Sequence, residues 1–115
     1  MVKEKVVNFM EVERSKVPIG EKTWFRPLIG KDDGAPNYAM RMFEVEKGGY
    51  IEAHQHPWEH EIFILEGHGE VKIGDNVYRV KAGDAIFIPP NIVHAYKNIG
   101  DKTLRFICVI PHPPQ

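Results

Sequence analysis

The chain of 115 residues contains one cysteine, two tryptophans and almost no net charge, with 15 Lys and Arg against 16 Asp and Glu. Each scarcity excludes something. A lone cysteine cannot close an intramolecular disulfide, so a reducing cytoplasm is the expected compartment. Cys108, inside Phe106-Ile-Cys-Val-Ile, reads first as a small buried hydrophobe. The balanced charge leaves no electrostatic footprint for nucleic acid or an anionic membrane surface. Apolar runs such as Ala85–Pro90 and Phe106–Pro111 are strand-sized, far short of the ~20 residues that a membrane helix needs. Lys3, Glu4 and Lys5 break the N-terminus too early for the apolar stretch of a signal peptide. Internal repeats, low-complexity tracts and linkers are also lacking, so residues 1–115 read as one domain. High Glu and Lys usage with only two Gln hints at a thermophilic source.

What is present has the period of strands. Thr23–Ile29, Tyr38–Glu46, Tyr50–His54, Glu61–Leu65, Glu70–Ile73, Val77–Val80, Ala85–Ile88, Ala95–Lys97 and Thr103–Ile110 are short and rich in β-branched and aromatic residues. Turn chemistry separates them: Gly48-Gly49, Gly67-His68-Gly69, Gly74-Asp75-Asn76, Ala82-Gly83-Asp84, Pro89-Pro90-Asn91 and Asn98-Ile99-Gly100-Asp101. That spacing predicts an all-β sandwich or barrel. Asn8–Lys16 is the best helical candidate, with an irregular arm as its alternative. Residues 1–21 and the proline-rich tail 111–115 read as peripheral.

Three of the six histidines fall in His54-Gln-His56-Pro-Trp-Glu-His60. A chance His-x-His is expected about 0.3 times in such a chain, and with a third histidine at fixed spacing about 0.02 times. Residues i and i+2 of a strand share a face, so His54 and His56 project together. Pro57 bends the chain, and His60 opens a new strand on the face of Ile62 and Ile64. Imidazoles converging from adjacent strands are the commonest ligands for transition-metal ions. A hydrogen-bonded polar patch without an ion is the alternative. Gly83-Asp-Ala-Ile-Phe-Ile-Pro-Pro-Asn-Ile-Val-His94 then brings a further histidine to the start of another strand.

These two segments resemble the cupins. Their first motif, G-x5-H-x-H-x3,4-E-x6-G, is matched by Gly48, His54, His56, position 60 and Gly67; their second, G-x5-P-x-G-x2-H-x3-N, by Gly83, Pro89, Asn91, His94 and Asn98. Asn91 replaces a glycine, and Asn is the next-best residue for positive φ. His60 replaces the family's glutamate ligand; Glu61 fits the looser spacing and is the second candidate. Residues 35–46 and 54–63 further resemble small manganese-binding monocupins of thermophilic microbes with an all-histidine site. The resemblance implies a cupin-like double-stranded β-helix (jelly-roll barrel) and one divalent ion per chain on His54, His56, His60 and His94. Manganese is the first expectation, with Fe, Zn, Ni or Cu as alternatives.

Neutral imidazoles leave the full dipositive charge on the complex, which favours an anionic or enolate-type ligand. The expectation is an oxygenase-type enzyme acting on a small organic acid or diketone-like molecule. A non-catalytic ligand- or metal-binding module, a cupin isomerase or decarboxylase, and a closed structural zinc site are the other readings. Metal release is expected below roughly pH 6.5. Alternation puts Phe106 and Cys108 inside the barrel as pocket-lining residues, or as plain core. It puts Arg41 on the face of Ala39, Phe43 and Val45, where a buried cation would seek a substrate carboxylate. Trp58 lies on the bend between ligands, over the pocket mouth or at a dimer contact. His68 and His112 are expected outside the site. The N-terminal arm Val2–Phe9 is expected to cover a sheet edge in a homodimer.

Overall fold

The structure, a computed structural model, describes residues 3–112. Nine strands make up nearly all of its regular structure: β1 (Ser15–Lys16), β2 (Gly20–Ile29), β3 (Tyr38–His54), β4 (His60–Glu66), β5 (His68–Ile73), β6 (Asn76–Lys81), β7 (Ala85–Ile88), β8 (His94–Asn98) and β9 (Leu104–Pro111). The described residues contain no α-helix, and none long and apolar enough to cross a membrane. Asn8–Lys16 holds only a 3-10 turn, Phe9–Glu11, closed by Asn8 accepting from the Met10 N–H at 3.0 Å, with β1 at its end. Three residues satisfied by their own cap need no longer helix.

The strands form one antiparallel network in the order β6-β5-β8-β3-β9-β4-β7, with β2 along the free side of β3 and β1 beyond it. It curls because β3 serves two layers. Residues 38–45 pair with β9, whereas residues 50–54 pair with β8. Gly48-Gly49 is therefore not the turn that the sequence predicts, and the chain runs on as one strand. Residues 46–49 bulge opposite Lys22 alone, with Gly48 at φ +79°. A Cβ at Gly49 would meet three backbone carbonyl oxygens at 2.8–2.9 Å, so only glycine lets the layers close here.

Alternation along β4, β8 and β9 sends Ile62, Ile64, Tyr96, Leu104, Phe106, Cys108 and Ile110 into the core between the layers. The outer face of β3 is also covered. Met42 and Glu44 are 3% and 2% exposed, beneath an N-terminal segment anchored by Arg26 Nη1, which donates to the carbonyls of Phe9 and Val12 at 3.3 and 2.7 Å. Lys5 reaches the Leu28 carbonyl at 2.9 Å, so this arm lies on its own sheet. Val2, the first residue of the expected arm contact, lies outside the described residues, as does the tail beyond His112. Val17, placed by sequence in a peripheral region, belongs to the core: its N–H donates to the Thr23 carbonyl at 3.0 Å and its side chain packs inward.

Candidate metal centre

The histidines meet where the two layers face each other at the end of β3. His54 closes β3, His94 opens β8, and the two are registered partners. His60 opens β4. His56 lies past the end of β3, so it joins the others from the connecting loop and not from a shared strand face. That loop is fixed by the Asn91 N–H, which donates to the His56 carbonyl at 2.9 Å. Asn91 itself is at φ +63°, the left-handed conformation expected of a residue in a glycine's place.

His54, His56 and His94 each offer a ring nitrogen within 4.8 Å of the others. His60 attaches through His56, Nε2 to Nε2 at 3.0 Å, and its ring centroid is 5.0 Å from that of His94. Glu61 is exposed on the opposite face of β4, outside the cluster. His68 is exposed, and His112 bonds the Ala35 carbonyl at 2.7 Å; neither joins it.

The second nitrogen of each ring explains the orientation. His54 Nδ1 lies 2.7 Å from the Glu52 carbonyl, His94 Nδ1 2.9 Å from that of Ile92, and His56 Nδ1 3.4 Å from that of Trp58. A carbonyl oxygen only accepts, so each Nδ1 carries the proton and each Nε2 presents a lone pair, the tautomer a metal-ligating histidine needs. His94 Nε2 is buried and has no partner. The 3.0 Å between His56 and His60 is closer than two lone pairs rest without a proton or cation between them. The orphaned buried nitrogen, beside a pair that either a proton or a cation would bridge, fits a metal site.

Burial favours the neutral form of His60, His94 and His56. The pKa of His60 is pushed down to about 3, by burial first and then by the neighbouring His56 and His94. That of His94 falls to about 4, again chiefly by burial. His56 is lowered too, mainly by burial. The deep rings of His60 and His94 stay unprotonated well below pH 6.5.

A cavity of about 320 Å³ opens beside the cluster. The other residues singled out in the sequence, Arg41, Phe106, Cys108 and Trp58, all line it. Cys108 Sγ lies 2.9 Å from His60 Nδ1 and 3.5 Å from Arg41 Nη2. Burial raises its thiol pKa against the opposing pull of Arg41. Trp58 stacks on His56 with centroids 4.3 Å apart and planes within 3°. An aromatic column that alternation left unassembled runs along the wall. Phe25, Phe43, Phe106 and Tyr96 stack in turn at 6.1, 5.3 and 5.3 Å. Tyr96 then meets His94 edge-on at 5.7 Å. Tyr96 lay in a recognised strand, but only the pairing of β8 against β3 brings it to the cavity.

A curled antiparallel barrel with a histidine cluster beside an aromatic cavity defines a small β-barrel protein with a candidate metal site. The chain belongs to the cupin family, whose Cupin domain model matches residues 41–110. It is similar to the polyketide cyclase RemF of Streptomyces resistomycificus, with 34% identity, a TM-score of 0.87, and coverage of 97% of this chain and 83% of that one. It is also similar to a predicted oxalate decarboxylase of Thermotoga maritima, with 26% identity, a TM-score of 0.81, and coverage of 93% and 98%. An uncharacterised protein of Methanocaldococcus jannaschii is 40% identical over 62 residues, 53% of this chain and 49% of that protein. The chain thus spans about half the length of that curated relative.

Proposed function

We propose that this cupin is a metal-dependent enzyme whose ion is held by His54, His56 and His94, with His60 as fourth ligand, and which acts on a small organic molecule in the adjoining cavity. The observation that carries this reading is the common orientation of the rings. Three Nδ1 atoms face backbone carbonyls, and His94 Nε2 is left buried and free. His54, His56, His94 and His60 would hold a dipositive ion, manganese first and iron second, which would supply Lewis acidity toward an anionic oxygen. The chain's own residues do the rest. Phe43, Phe106 and Tyr96 keep water from the apolar part of the substrate, and Arg41 supplies the only lysine or arginine charge among the described residues of the cavity wall.

The reaction type we favour is an oxygenase-type oxidation of an enolisable acid or diketone. A second reading, a redox-neutral ring closure, is favoured by the likeness to a polyketide cyclase over almost the whole chain. The experiment is elemental analysis of the tag-free protein beside a His60→Ala variant, followed by oxygen-electrode assays of the loaded protein with acetylacetone. About one Mn or Fe per chain, reduced in the variant, with diketone-dependent oxygen uptake supports the oxygenase. Metal without oxygen uptake moves the choice to ring closure. No metal in either protein after reconstitution overturns the enzyme reading.

A further inference from the structure

Among the described residues the cavity wall contains no Asp or Glu, yet it holds two buried donors without a partner: Arg41 Nε and Trp58 Nε1. A buried donor left unpaired is destabilising, more so when the group is charged. The contrast with two other half-buried arginines is sharp. Arg26 Nε and Arg105 Nε donate to opposite oxygens of Glu44 at 3.0 and 2.9 Å. Arg41 instead lies 5.0 Å over the Phe43 ring and donates from Nη2 to the Cys108 sulfur at 3.5 Å. A thiol sulfur is a weak acceptor and leaves the positive charge unbalanced. The register of β3 on β9, Arg41 opposite Cys108, fixes the guanidinium there.

Much of the remaining wall is apolar: Val17, Ile19, Phe25, Phe43 and Phe106. At the packing density of protein interiors, 320 Å³ accommodates roughly a dozen non-hydrogen atoms. A single cation, a second donor and an apolar remainder define a ligand with one negative charge, one further acceptor and a ring-sized body.

We propose that the cavity takes a small monocarboxylate with a ring-sized apolar body and a second oxygen beside the carboxylate, the carboxylate held by Arg41 and the second oxygen by Trp58. This deepens the functional reading above by naming its substrate class. Binding at these donors does not itself require turnover.

The test is isothermal titration of the full chain, as purified, with phenylpyruvate and with its neutral methyl ester. Metal content is measured on the same preparations. Wild type should bind the acid at least about tenfold more tightly than the ester, as expected for a hydrogen-bonded charge. Arg41→Met should erase that preference while leaving ester binding in place, Arg41→Lys should keep part of it, and Trp58→Phe should weaken the acid about threefold to tenfold. Thermal melts identify any variant that has not folded; Arg41→Lys and Trp58→Phe each test the assignment without removing the charge. Equal binding of acid and ester by wild type, no acid binding up to about 10 mM, or an unchanged preference in folded Arg41→Met overturns the proposal. Metal uptake without acid preference removes this inference alone, and acid preference without metal uptake removes the metal-enzyme reading alone.

Discussion

His60 Nδ1 and Cys108 Sγ lie 2.9 Å apart across the β4–β9 pair, and on its other side His60 reaches His56 Nε2 at 3.0 Å. Cys108 thus holds the ring that holds a ligand. If the sulfur accepts from Nδ1–H, His60 Nε2 is free for an ion; if the thiol donates, His60 Nε2 carries a proton towards His56. Removing the sulfur should loosen His60 without touching the other three histidines. Cys108→Ala is expected to lower metal affinity about tenfold to hundredfold and to cost only ~1–2 kcal/mol of stability. Chelator competition and urea unfolding on the same variant separate the two effects. Unchanged affinity would make Cys108 core packing only.

The lowered pKa values make the metal-free protein acid-sensitive in a definite window. His60 and His94 bind protons in the unfolded chain near pH 6.5 but in the folded chain only near 3 and 4. Between those limits the unfolded state binds more protons, so stability is complete above pH 6.5 and is lost as pH falls towards the folded values. Each deep histidine contributes a slope of up to about 1.4 kcal/mol per pH unit. Chelator-treated protein should show a urea midpoint that drops steadily from about pH 6.5 to 4.5, and His60→Phe should flatten that drop. An identical slope in wild type and variant would exclude His60 as a source.

Much of this was legible in the sequence because alternation and turn residues act locally. His60 begins a strand on the face of Ile62 and Ile64, as period two requires, and Asn91 adopts the positive φ its position called for. The failures have a common cause, which is coverage decided elsewhere in the chain. Gly48-Gly49 has turn chemistry, but the pairing of β3 with both layers turns it into a bulge. Glu44 lies on the face of β3 opposite Phe43 and Val45, and the N-terminal arm buries it. No local pattern announces that residues 9–12 will fold back over β3.

Glu44 carries a testable consequence of that coverage. Burial alone would raise its pKa, but hydrogen bonds from Arg105 and Arg26 hold it below the ordinary carboxylate range. Arg105 also pairs with Glu66. Glu44→Gln leaves two half-buried guanidiniums short of their counter-charge, and should cost about 2–4 kcal/mol, somewhat less than a fully buried broken pair. The loss should appear in urea unfolding, with metal content unchanged because the network faces away from the cavity. A variant as stable as wild type would show that the arginines find water or Glu66 instead.

Asn91 offers the most local test of how the turn before His94 supports the cluster. Its φ of +63° suits glycine, is tolerated by asparagine and is strained for a β-branched residue. Its N–H donates to the His56 carbonyl at 2.9 Å, so the strain of a poor substitution would be transmitted to the loop that carries a metal-ligand candidate. Asn91→Gly should keep both the turn and that hydrogen bond, changing stability by less than about 1 kcal/mol and leaving metal affinity intact. Asn91→Val should cost about 1–2 kcal/mol and weaken metal binding beyond any loss seen in Asn91→Gly. Thermal melts and chelator competition on the pair read both quantities. Equal metal affinity in the two variants would show that His56 is positioned by its stack on Trp58 and not by this turn.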